Sequence, residues 1–339
     1  MSSASLAATW IKTHIFKYSG VKDYCLLTEI NAWYPKLVQY YGGMNKLPLD
    51  KRVQILSMLV EGASMRSVAP VADVSINTVS SLLVSAGTAC ADFHHEMVQG
   101  VASKRIQCDE IWSFCYAKAK NVAKAKRAPY GAGDVWTWTA LDADSKLILS
   151  WMVGGRDADS ANLFMDDLQG RLANPVQLTT DGHRPYLEAV AGAFQGGVDY
   201  AMLVKLYEEN RDSAKSRYSP AECVGAYKQR ITGSPDPAHV STSYTERHNL
   251  TMRMQMRRFA RLTNAFSKKI DNHCHALALC FVWYNFVRIN KAVRMSPAMA
   301  AGITDHLMEM TELAEMIDAA TTKPGPRGPH KKRKPENSN

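Results

Sequence analysis

Three acids in this sequence lie in surroundings that do not suit an idle carboxylate. Asp109 belongs to Cys108-Asp109-Glu110-Ile111-Trp112, an otherwise largely apolar stretch. A charge in such a strand is costly to desolvate unless it meets a partner or a metal. Strand alternation sends Asp109 and Glu110 to opposite faces, so only one of them is expected in a given site. Asp181 follows Thr179-Thr180 and precedes Gly182-His183, at the C-terminal end of a short apolar segment, the place where parallel sheets tend to put ligands. Glu246 stands in Tyr244-Thr245-Glu246-Arg247-His248-Asn249, and the other charges of that segment, Arg247, Arg253, Arg257, Arg258 and Arg261, are all basic. Carboxylates from three separate elements can form an open, oxygen-only site. Such a site suits two hard cations about 3.5–4 Å apart, one activating the attacking oxygen of a phosphodiester reaction and the other stabilising the leaving oxygen. Two Mg2+ (or Mn2+) ions on Asp109, Asp181 and Glu246 are the expected cofactors. His273, Cys274 and His275 do not compete, because adjacent and alternate residues of one helix diverge; they read as packing.

The elements that must position these acids follow from patterning. Arg105–Tyr116 is rich in Ile, Trp, Phe and Tyr and predicts a strand. Asp134–Leu141 alternates apolar and polar residues as a second strand, and Lys146–Val153 makes a third after the Asp144-Ser145 turn. Ser160–Leu172 predicts a helix, Pro175–Thr180 a buried strand, Tyr186–Phe194 a helix and Tyr200–Leu206 a strand. Three hairpin-linked strands followed by parallel additions imply an α/β layered sheet covered by helices. Residues 208–240 are polar, with Gly233, Pro235 and Pro237, and read as an insertion outside the core. Thr245–Arg261 predicts a basic helix. On it, positions 250, 253 and 257 lie on or near the face of Glu246, so Arg253 and Arg257 would follow a DNA backbone away from the metal site. Arg247, His248, Asn249 and Arg258 are further candidates for contact with that strand. Asp271–Asn290 predicts a long apolar helix. Trp112, Trp136 and Trp138 read as core or sheet-face residues, with nothing in the sequence to support stacking on a flipped base; His183 reads as a neighbour of the metal site or as a turn histidine.

Ahead of the strands, Leu49–Glu61 has helical spacing and stops at Gly62. Ser64 N-caps a short second helix and Ser75 a third. This is a helix-turn-helix layout, whose last helix would present Ser75, Asn77 and Thr78 to base edges. The expected organisation is therefore 1–46 without a functional reading, 47–95 helix-turn-helix, 100–295 catalytic domain, 296–321 C-terminal helix and 322–339 disordered basic tail.

The net charge is +9, of which the tail from Thr322 to Asn339 carries +5. The tail reads as a solvated extension or as a nonspecific nucleic-acid arm. The seven cysteines are odd in number and form no Cys-x-x-Cys pair, which argues against a disulfide framework and for a reducing compartment. No apolar run reaches the ~18–20 residues of a membrane span. The expectation is a cytoplasmic, nucleoid-associated protein with DNA, not membrane, as partner.

The blocks Cys108–Trp112 (CDEIW), Thr179–Tyr186 (TTDGHRPY) and Tyr244–Lys268 (YTERHNLTMRMQMRRFARLTNAFSK) together resemble the insertion-sequence-one family of DDE transposases. The third block is the most specific, and the resemblance covers roughly residues 104–290. It implies an RNase-H-like catalytic core in which Asp109, Asp181 and Glu246 match the family's acidic triad, with Asp271 a loose counterpart of a further acid. It also implies recognition of element ends (terminal inverted repeats), strand cleavage, strand transfer into target DNA and a homo-oligomer on DNA. The cysteine zinc motif with which family members often begin is not matched, since Cys25 stands alone there. Two alternatives remain: a non-catalytic DNA-binding protein derived from a transposase, and an RNase-H-like nuclease.

Overall fold

A computed structural model describes residues 46–125, 127–208, 222–260 and 263–321. The segment before Lys46, the basic tail from Thr322, Cys25 and Arg261 lie outside the described residues.

Three helices come first: α1 (Leu49–Val60), α2 (Met65–Val71) and α3 (Ile76–Met97). Ser64 and Ser75 cap α2 and α3, each accepting a hydrogen bond from the backbone N–H three residues on. Ile55, Val68, Ala69, Ala72 and Val79 make a small core of their own, and α2 and α3 meet at 114°. The third helix is longer than its capping pattern suggests. Its C-terminal half joins the helical layer of the sheet, so the boundary expected at residue 95 falls inside one continuous helix. Gly87 is the reason for the close fit: a Cβ there would lie 2.3 Å from His275 Cβ.

The sheet has the order β3-β2-β1-β4-β5-β6. β1 (Arg105–Cys115), β2 (Gly133–Asp142) and β3 (Ile148–Gly154) form an antiparallel meander. A short α4 (Ala119–Val122) sits in the first connection. After α5 (Ala158–Gly170), β4 (Gln177–Asp181) adds parallel to β1, and after α6 (Pro185–Phe194), β5 (Asp199–Glu208) adds parallel to β4. Burial along β3 is complete, as expected of a strand covered on both faces.

Residues 208–240 depart from expectation. Glu222–Thr232 forms β6, hydrogen-bonded antiparallel to β5. An edge strand needs only one paired side and one covered face, so its polar composition did not mark it as part of the sheet.

Helices cover both faces of the sheet. Trp138 packs on Phe164 of α5 and Tyr186 of α6. On the opposite face Trp151 packs on Phe281 of α8 (Ile270–Val282), and His94 of α3 bonds Ile148 O. The basic segment is also shorter than expected. Its helix, α7, runs Ser243–Gln255, and Arg257–Phe259 is a separate 3-10 turn. The predicted C-terminal helix is two, α9 (Pro297–Ala300) and α10 (Met310–Ala320). α10 returns to α1 through Asp318, which pairs with Arg52 and Lys46.

Candidate active site

β1 and β4 are paired only from Arg105 to Gln107 and from Gln177 to Thr179. Beyond that point β4 continues beside β5, with Asp181 opposite Leu203. The acids gather at this limit of pairing. Asp109 and Asp181 each lie two residues past the last paired position, on the face that α7 covers. There Gln107 Oε1 accepts the N–H of Tyr244 at 2.8 Å.

The structure corrects the expectation that Asp109 and Glu110 cannot share a site. Alternation does place Glu110 on the other face, opposite Trp138. Yet carboxylate oxygens of Asp109, Glu110 and Asp181 all lie within 4.8 Å of one another. The Glu110 side chain is long enough to reach its carboxylate to the level of the sheet where β1 has no β4 partner. A strict alternation argument assumes a sheet closed on both sides of the strand.

Each acid is held. Asp109 Oδ1 accepts the Glu110 N–H at 2.9 Å, and Oδ2 accepts the Asn249 amide at 2.7 Å. Asp181 Oδ1 accepts the His183 N–H at 3.0 Å. Arg156, on the connection from β3 to α5, spans the other two acids: Nε is 3.2 Å from Glu110 Oε2 and Nη2 is 3.4 Å from Asp181 Oδ2. Its guanidinium lies 4.8 Å above the Trp136 ring.

Burial, with the Asp181 charge second, pushes Asp109 up to about 7 and Glu110 up to about 8. Crowded, desolvated carboxylates of this kind gain most from a divalent cation. The donors are all oxygens, which suits a hard ion. Glu110 Oε1, sealed beside Tyr186, completes no hydrogen bond of good geometry. The three acids thus fit a metal site.

Glu246 stands apart from this group. Its Oε1 accepts from Thr242 Oγ1 at 2.6 Å and pairs with Lys205 Nζ of β5. Burial alone would raise its pKa; the Lys205 and Thr242 hydrogen bonds and the Lys205 charge hold it below the usual value. Asp109 feels the charges of both Lys205 and Glu246, so Glu246 flanks the cluster without being within its 4.8 Å span.

The predicted DNA contacts divide. Ser75 and Asn77 are exposed at the start of α3, with Thr78 partly so, although Ser75 Oγ is engaged as the cap. Arg247 and Arg257 are exposed. Arg257 is not on the helix of Arg253, because α7 ends at Gln255; the shared face expected for the pair is not formed. Arg258 is partly buried and donates to Ser267 Oγ at 2.9 Å. Asn249 faces Asp109 rather than the surface. His248 is buried against Phe281 and Tyr284, and neither ring nitrogen has a hydrogen-bond partner among the described residues. His248 falls on the face of α7 that packs against Phe281 of α8. Arg156, Lys205 and Glu110 were missed. Glu110 carried a visible signal, its place beside Asp109; Arg156 and Lys205 carried none.

Neither a protein-family model nor a curated protein matches the sequence. Among solved structures, the cryo-EM structure of a piggyBac transposase synaptic complex with hairpin DNA aligns over 93% of this chain and 80% of that chain, at 9% identity and a TM-score of 0.37.

Proposed function

We propose that this chain is a DNA transposase that binds element ends and carries out metal-dependent strand cleavage and strand transfer. The observation that carries the reading is the gathering of Asp109, Glu110 and Asp181 from two different strands within 4.8 Å. It joins a chemistry inferred from residue type to the sequence blocks that resemble insertion-sequence-one transposases. We read the antiparallel meander extended by parallel β4 and β5 as an RNase-H-like core.

Asp109 and Asp181 would hold Mg2+ or Mn2+, with Glu246 or Glu110 completing the set. Bound ions would supply activation of the attacking oxygen and stabilisation of the leaving oxygen. The protein's own part is positioning. Asn249 and the Glu110 N–H fix both oxygens of Asp109, and the His183 N–H fixes Asp181. Arg156 and Lys205 lie beside the acids as cations suited to flanking phosphates. Water attacks the phosphodiester in line, releasing a 3′-hydroxyl at the element end. That hydroxyl then attacks a target phosphodiester, forming one P–O bond as another breaks. The exposed start of α3 is the candidate reader of the ends, and pairing of two ends would require at least a dimer.

The test is transposition of a marker flanked by the inverted repeats around this gene, using wild type, Asp109→Asn, Asp181→Asn, Glu246→Gln and Glu110→Gln. Joining by wild type, lost in the first three while end binding persists, supports the reading. Loss in Glu110→Gln but not in Glu246→Gln would move the third acid's role to Glu110. End binding without joining by wild type would favour a DNA-binding derivative. Cleavage indifferent to the repeats would favour a nuclease.

A further inference from the structure

Beyond the acid cluster, β1 carries Trp112 and Phe114 on the same face as Glu110. Trp112 is 38% exposed, although the same face of the sheet is covered by α5 and α6 at Trp138. Its ring lies 5.8 Å from Phe114, which lies 4.9 Å from Phe266. The three rings are tilted by 37° and 32° to their neighbours, so they form a continuous aromatic row. The row is anchored. The Tyr116 N–H donates to Ser267 O at 2.7 Å, fixing the Phe266-Ser267-Lys268 segment to the end of β1.

Cations flank the row. Lys118 Nζ lies 5.5 Å above Trp112, and Lys268 Nζ lies 3.9 Å from the Phe266 centroid. Lys120, Lys124, Arg127 and Lys269 are exposed in the same two segments. Asp134, opposite Phe114 in the sheet, has one oxygen engaged by the Ala119 N–H. At the near end of the row, Trp136 is the cross-strand neighbour of Trp112 and carries the Arg156 guanidinium that touches Glu110 and Asp181.

A partly exposed aromatic row flanked by exposed lysines matches one class of ligand, a polyanion whose repeating unit has a flat π-face. We propose that Trp112, Phe114 and Phe266 form a stacking platform for unpaired bases of single-stranded DNA, with Lys118 and Lys268 moving from the rings to its phosphates. A paired base keeps its faces inside the duplex stack, so the platform discriminates single strands from duplex. The inference deepens the transposase reading, placing the unpaired strand next to the scissile phosphate, but it concerns binding and stands on its own geometry.

The experiment is binding of a twelve-residue oligo-dT carrying one 2-aminopurine, in EDTA so that no strand is cut, to wild type, Trp112→Ala and Trp112→Phe. Wild type should bind and quench the 2-aminopurine. Trp112→Ala should bind at least about tenfold more weakly, the loss of one stacked base, and Trp112→Phe should keep most of the affinity. Unaltered binding by Trp112→Ala overturns the platform. So does a wild type that leaves the 2-aminopurine unquenched, or a duplex of the same length that loses equally with Trp112→Ala. If Trp112→Ala fails to show the wild-type melting transition, the wild-type quench and Trp112→Phe decide. Trp112-dependent single-strand binding without any strand joining would leave the platform standing while the transposase reading falls. Joining by Trp112→Ala at the wild-type rate, with unaltered binding, would do the reverse.

Discussion

Asn249 of α7 donates its side-chain amide to Asp109 of β1 across 2.7 Å. This bond ties the helix that carries Glu246 to the strand that carries the central acid. It also orients the Asp109 oxygen not engaged by the Glu110 N–H. Asn249→Ala should therefore cost about 1 kcal/mol of stability and lower strand joining about tenfold or more, with end binding kept. Denaturant unfolding and the joining assay check both. Wild-type joining by Asn249→Ala would show that Asp109 needs no support from α7.

The raised pKa values of Asp109 and Glu110 set a pH dependence. A carboxyl raised in the fold stabilises fully below its unfolded value near 4, and that stability is lost as pH rises through about 7 for Asp109 and about 8 for Glu110. In EDTA, stability should fall by roughly 2 kcal/mol between pH 6.5 and 8, mostly through Glu110. Glu110→Gln should flatten that slope, and added Mg2+ should reverse the loss. Urea unfolding at the two pH values decides; an equal slope in Glu110→Gln would place its carboxyl in water.

His248 has the opposite sign. Burial, then the Arg288 charge, lowers its pKa to about 3. Its contribution is present above the unfolded value of about 6.5 and is lost as pH falls toward about 3. His248→Phe removes two buried nitrogens that lack partners and keeps a ring against Tyr284, 4.7 Å away. The variant should be as stable as wild type at pH 7, more stable at pH 5, and unchanged in DNA binding. A native-like His248→Phe that loses DNA binding would restore the contact expected from sequence.

Two glycines should respond in opposite directions. Gly87→Ala places a Cβ 2.4 Å from His275 Cα, where the backbone of α8 cannot yield cheaply; the cost should be roughly 1–3 kcal/mol. Gly192→Ala in α6 meets nothing within 4 Å and should stabilise by up to about 1 kcal/mol. Thermal melts of the two variants check the packing of α3 on α8. A neutral Gly87→Ala would mean that the two helices are farther apart than described.

Local patterning in the sequence determined most of the elements. The Ser64 and Ser75 caps, the apolar runs of β1 to β5 and the helical spacing of α5, α6 and α8 all depend on residues within a few positions of each other. Asp109 and Asp181 are legible in the same way, since a carboxylate inside an apolar strand signals itself; the entry of Glu110 into their cluster and the separation of Glu246 from it are not. What only the tertiary structure decided depends on neighbours distant in sequence. β6 is a strand because β5 offers it an edge. Glu110 reaches Asp181 because β1 loses its β4 partner after Gln107. His248 is inside and Arg247 outside because α8 lies against one side of α7. Arg156, 46 residues from Glu110, sits beside it because β3 and α5 turn the chain back there. Periodicity assigns a side chain to a face, but what covers that face, and where a sheet opens, is set by packing energies that no local window contains.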